Sequence, residues 1–128
     1  MPSHPQKPTS SELEILQVLW TRGPSTVREV HEILSEKRRI GYTSVLKLMQ
    51  IMTDKGSVRR NETQRAHVYE VGQPAEKTKR GLAADVLDRV FDGSASELMM
   101  HALAGRRASK EEVAELRRLI NEYERKHS

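Results

Sequence analysis

A chain of 128 residues allows one domain or two small ones, and 36% hydrophobic with 4% aromatic residues argues against one large core. Cysteine is absent, which excludes disulfides, thiolate metal sites and a cysteine nucleophile and fits a reducing cytoplasm. The 22 Lys and Arg exceed the 18 Asp and Glu for a net charge of +4, and no apolar run approaches the ~20 residues needed to cross a bilayer.

Residues 1–11 hold no apolar signal core and read as a short flexible lead-in. Ser11-Glu12-Leu13-Glu14 reads as a capping box that opens a first helix. Leu13, Leu16 and Trp20 mark its buried face, with Ile15 and Leu19 widening it; Trp20, the only Trp, reads as a packing residue. Gly23-Pro24 stops that helix, and Ser25-Thr26 begins the second. Thr26 and Glu29 form another capping box, and Val27, Val30 and Leu34 form the apolar stripe, with Ile33 beside it. The free N–H groups at this helix start, with Thr26 and Arg28, suit a phosphate. Lys37-Arg38-Arg39 is a basic connector.

Ile40 to Val71 is the stretch around which the chain is organised. Val45, Leu48, Met49 and Met52 recur at i, i+3, i+4, i+7, the spacing of a helix with one buried side. Thr43, Lys47, Gln50 and Asp54 fall opposite, with Ser44 on the border. Short hydroxyls, an amide and a cation are groups that bond base edges and phosphates. Gly56 supplies a left-handed C-cap. Ser57–Arg60 and Ala66–Val71 read as two strands joined by the polar turn Asn61-Glu62-Thr63-Gln64-Arg65. Helix then hairpin is the second half of a winged helix-turn-helix. From Lys37 to Arg65 eight Lys/Arg face only Asp54 and Glu62, a net of +6 that exceeds the charge of the whole chain.

Gly72-Gln73-Pro74 marks a boundary, so residues 1–72 read as a DNA-binding domain and 73–128 as a helical one. Three helices follow. The first, about Ala75 to Phe91, carries Leu82, Val86, Leu87, Val90 and Phe91 and ends at Asp92-Gly93. The second opens at the Ser94–Glu97 box, carries Leu98, Met99, Ala102 and Leu103, and ends at Gly105. The third opens at Ser109–Glu112 and carries Val113, Leu116, Ile120 and Tyr123 as a coiled-coil-like seam that Leu119 broadens. Net charge here is +1, against +3 for residues 1–72. These stripes cannot bury one another, so the segment reads as a dimerisation arm; folding back onto the first domain is the alternative. The overall fold class is mostly α with a small β wing.

Catalysis finds no support. No two of the five His lie at i, i+3/4 spacing, and H-E-x-x-H and a glycine-rich phosphate loop are both absent. Neither a metal nor a cofactor is implied.

Tyr42-Thr43-Ser44-Val45-Leu46, Asp54-Lys55-Gly56 and Arg65-Ala66-His67-Val68-Tyr69 resemble the penicillinase repressor family (BlaI/MecI/CopY type). Glu12-Leu13-Glu14-Ile15-Leu16, Val18-Leu19-Trp20, Gly23-Pro24, Thr26-Val27-Arg28-Glu29-Val30 and Phe91-Asp92-Gly93-Ser94 match as well, nearly the whole chain in order. The resemblance implies a cytoplasmic homodimer that represses from an inverted-repeat operator of β-lactamase-type or cell-envelope-response genes. It implies release through a membrane-bound sensor metalloprotease that triggers cleavage in the dimerisation arm. By position, Tyr42, Thr43, Ser44 and Lys47 fall where the family meets the major groove, and Arg60 and Arg65 fall on the wing. Lys47 stands where Thr is usual, Ile51 where Arg is common and Ser57 where an apolar residue is usual. The bond cleaved in the best-known members is Asn-Phe and aligns here with His101-Ala102. Copper-sensing relatives use C-terminal cysteines, which this chain lacks.

Together these give a repressor in which Tyr42, Thr43, Ser44, Lys47 and Gln50 read bases. Thr26, Arg28, Arg39, Arg60 and Arg65 hold phosphates, and Leu98, Met99, Leu103, Val113, Leu116, Leu119, Ile120 and Tyr123 form the dimer. Two rivals stay open: a winged-helix protein–protein adaptor and a ligand-responsive winged-helix regulator.

Overall fold

A computed structural model describes residues 7–63, 65–105 and 108–128. Residues 1–6 of the expected lead-in and Gln64 of the expected turn lie outside the described residues. The order is α1 (Ser10–Arg22), α2 (Val27–Ser35), α3 (Tyr42–Lys55), β1 (Val58–Asn61), β2 (Val68–Val71), α4 (Ala75–Phe91), α5 (Ala95–Ala104) and α6 (Lys110–His127). The chain divides into two units, one ending at Leu82 and the other running Ala83–Ser128.

Thr9, rather than Ser11, caps α1. Its hydroxyl accepts from the Glu12 N–H at 3.2 Å, and the Glu12 carboxylate accepts from the Thr9 N–H at 3.0 Å. Two overlapping frames, Thr9–Glu12 and Ser11–Glu14, satisfy the same pattern. A long-range contact selects between them: Glu12 also accepts from Lys55 Nζ at 2.9 and 3.0 Å, while Glu14 pairs with Arg38 at 2.9 Å. One carboxylate, only 3% exposed, thus ties the first turn of α1 to the last turn of α3.

One core joins the first three helices and the hairpin. It comprises Ile15, Leu16, Val18 and Leu19 of α1, Val27, Val30 and Leu34 of α2, Val45, Met49 and Met52 of α3, Val58 of β1 and Tyr69 of β2. Each such residue fully withdrawn from water contributes roughly 1.5–3 kcal/mol. The buried side of α1 extends beyond the expected Leu13, Leu16 and Trp20, widened by Ile15 and Leu19, because α1 touches α2, α3 and β2. Val18 is in the core, while Leu13 and Trp20 lie half-buried at its edge. The predicted face of α3 holds, with Leu48 half-buried.

β1 and β2 pair antiparallel, with Val58 opposite Val71 and Arg60 opposite Tyr69. Both begin later than expected. Ser57 instead closes the end of α3, its N–H and hydroxyl both donating to the Met52 carbonyl at 3.0 and 3.2 Å. A further strand contact has no counterpart in the periodicity: Ser25 and Tyr69 exchange two backbone hydrogen bonds of 3.0 and 2.8 Å. This single bridge docks the wing onto the α1–α2 connection. Thr26 then caps α2 in the predicted box with Glu29.

Gly56 takes φ of 84°, the left-handed C-cap expected. Gly72 is needed for a different reason. A Cβ there would collide with the Gly56 carbonyl, so the end of β2 can lie against the end of α3 only without a side chain.

In the second unit, Ser94 and Ser109 accept from the N–H groups of Glu97 and Glu112 at 3.1 and 3.0 Å, the serine half of each predicted box. None of the described residues of α4, α5 or α6 is buried. Met100 is 60% exposed, Ile120 58% and Tyr123 64%.

Burial disfavours the Glu12 carboxylate, yet the Lys55 ammonium and the Thr9 N–H outweigh it and hold its pKa below the ordinary 4.5. A lowered folded-state pKa means stability that is fully present above about pH 4.5 and lost as pH falls through the folded-state value. Glu12→Gln is expected to lose about 1–3 kcal/mol in urea unfolding at neutral pH. It should also lose stability less steeply than the parent as pH drops below 4.5, since the titrating group is gone.

Candidate nucleic-acid interface

The packing of α3 decides what its other side presents. With Val45, Met49 and Met52 at 0% exposure, Tyr42, Thr43, Ser44, Lys47 and Gln50 are all turned to solvent. Ile51, at 39%, is an apolar neighbour on that exposed side. Gly41 begins the helix with no side-chain cap, so the first-turn N–H groups of α3 keep their donors uncommitted to a cap. Base edges and phosphates both take such donors.

The approach to α3 is fixed by a residue that helical spacing does not mark. His31, half-buried on α2, lies with its Nε2 2.9 Å from the Ile40 carbonyl and 3.2 Å from the Ser35 hydroxyl. Its ring meets that of Tyr42 edge-on at 5.7 Å. His31 therefore anchors the α2–α3 connection and braces a base-reading candidate.

Cations of the basic stretch divide into two sets. Arg38 pairs with Glu14, Lys55 with Glu12, Arg59 with Glu70 and Arg60 with Glu62. The Tyr69 hydroxyl and Glu62 both stabilise the charged Arg60 and raise its pKa further. Among the described residues, Arg28, Lys37, Arg39, Lys47 and Arg65 have no carboxylate partner, and all five are exposed. Of the phosphate candidates, then, Arg28, Arg39 and Arg65 are uncommitted, whereas Arg60 is already held. Thr26 is also committed: its hydroxyl accepts from the Glu29 N–H at 3.2 Å, and its own N–H donates to Glu29 at 2.9 Å. Hydrogen bonding from the Thr26 N–H, with help from Arg22, holds the Glu29 carboxyl below its usual pKa, so a negative charge stands at the start of α2.

Among the described residues no group of three His, Asp or Glu is placed to hold a metal ion. No helix among them is long and apolar enough to cross a membrane.

Three helices, a third one with an exposed polar face, and a basic two-stranded wing define a winged helix-turn-helix regulator of transcription. Residues 8–122 match the family described as penicillinase repressor. "Transcriptional regulator BlaI" of Mycobacterium tuberculosis, from strains CDC 1551 and H37Rv alike, is 34% identical over 118 residues. That match covers 91% of this chain and 84% of the relative. The chain belongs to the penicillinase repressor family, whose members are transcriptional repressors and not enzymes.

Arg60 and Glu62 give a direct test of how the wing spends its charge. Glu62→Gln frees the Arg60 guanidinium and removes a negative charge, so DNA binding should tighten and the slope of log affinity against log salt should steepen. Arg60→Ala should weaken binding to any sequence and reduce that slope by about 1. A salt titration by fluorescence anisotropy reads both.

Proposed function

We propose that this repressor works as a homodimer on an inverted-repeat operator, one α3 per half-site in the major groove. The observation that carries the proposal is the exposed polar face of α3, in a unit that also exposes cations without carboxylate partners. Tyr42, Thr43, Ser44, Lys47 and Gln50 read base edges. Arg28, Arg39 and Arg65 hold phosphates; Arg60 joins them by exchanging Glu62 for the backbone, and Thr26 contributes through the capped start of α2. Two-fold symmetry of protein and operator would put the recognition helices about one helical turn, roughly 34–36 Å, apart.

Residues 73–128 form the dimerisation domain in this reading, and residues 1–72 the DNA-reading one. Support comes from exposed apolar side chains at helical spacing: Val113, Leu119, Ile120 and Tyr123 on α6 and Met99 and Leu103 on α5, with Leu98 and Leu116 half-buried beside them. A second copy offers the same seam and removes it from water, the usual solution for helices that bury too little alone.

Derepression by proteolysis follows from the family resemblance, with a membrane-bound sensor metalloprotease as the upstream partner and the cytoplasm as the compartment. The aligned pair His101-Ala102 is exposed but lies within α5, so cleavage there requires that helix to open first. The controlled genes are of the β-lactamase or cell-envelope-response type.

Lys47→Ala should cost about 1–3 kcal/mol on the preferred site and relax preference at one base pair. A loss spread evenly over all sequences would make Lys47 a phosphate contact. Ile120→Glu, on the exposed side of α6, should convert a sedimenting dimer into a monomer and lower affinity for the full repeat more than for a half-site. A dimeric Ile120→Glu protein would remove the α6 seam from the interface.

A further inference from the structure

A cleft of ≈ 420 Å³ opens beside Trp20, inside the range of roughly 300–1,000 Å³ typical of small-molecule sites. Trp20, Val18 and Ile33 supply its apolar wall, and Arg22, Lys37 and Lys79 its charges. No acidic residue lines it. Arg22 is neutralised by Glu29, but among the described residues Lys37 and Lys79 have no carboxylate partner. The Lys79 ammonium stands 5.0 Å from the centre of the Trp20 ring.

We infer that this cleft is a binding site for a small aromatic anion, a carboxylate or phosphate carried on one ring. The apolar wall takes the ring, and Lys37 and Lys79 take the charge. A neutral aromatic would leave two ammonium groups without a partner; an inorganic anion would leave the apolar wall wet. The two requirements together define the ligand class. Lys79 lies on α4 and Trp20 on α1, so an occupied cleft fastens the start of α4 to the first helix. Ligand capture of this kind needs no DNA, and it stands or falls apart from operator reading.

Because Trp20 is the only tryptophan, the ¹⁵N–¹H spectrum of the full chain contains one indole resonance, and that resonance reports the cleft directly. The test titrates the protein with phenyl phosphate, with benzyl alcohol as the ring without charge and inorganic phosphate as the charge without ring. Phenyl phosphate is expected to move the indole resonance saturably, with a dissociation constant of about 1 mM, as suits a ligand of that size. The two controls should move it little. In the double variant Lys37→Gln/Lys79→Gln, two exposed changes that leave the core intact, binding should weaken at least about tenfold. Three results would overturn the inference: an indole resonance that no probe moves; an equal response to benzyl alcohol; or unchanged affinity in the double variant.

Discussion

Val45, Met49 and Met52 clamp α3 between α1, α2 and the hairpin, and the Lys55–Glu12 pair fixes its far end. Every exposed group on α3 takes its direction from that clamp. A helix rotates as one body, so burying three residues of one side settles where Thr43, Lys47 and Gln50 point. The pair at the end adds register, because Glu12 meets Lys55 only if α1 and α3 hold one relative height. Rigid presentation matters for base reading, where hydrogen bonds tolerate little misplacement.

The wing is held by an equally economical device. Tyr69 is nearly fully buried and pairs with Arg60 within the hairpin and with Ser25 outside it. Through that one residue the hairpin gains both a core anchor and a backbone link to the start of α2. Gly72 completes the arrangement by letting the end of β2 approach Gly56. The wing is therefore tied at its base, while Arg59 and Arg60 on β1 and Arg65 in the turn face solvent.

Local pattern made α3, its cap at Gly56 and the three C-terminal helices legible in sequence, since each is set by spacing over a few residues. The α1 cap was misplaced in sequence for a physical reason. Thr9–Glu12 and Ser11–Glu14 are equivalent locally, and the choice depends on Lys55, 43 residues from Glu12. Charge counting had a similar blind spot. The +6 of residues 37–65 treats each cation as free, yet three of its carboxylate partners, Glu12, Glu14 and Glu70, lie outside that stretch. The His31 brace and the Ser25–Tyr69 bridge were invisible because each joins distant segments through single residues. Which residues of α3 face solvent was legible; which cations of the basic stretch lack a carboxylate partner was not.

Whether α3 reads sequence in pairs is decided by selection of bound sites from random duplex DNA with the full-length protein, at near-physiological salt. Paired sequence reading by α3 predicts enrichment of an inverted repeat whose half-site centres are separated by whole helical turns, about 10–10.5 base pairs or a multiple. Retention of DNA without sequence preference, vanishing as salt rises modestly, would contradict it, for then the basic face would bind charge alone.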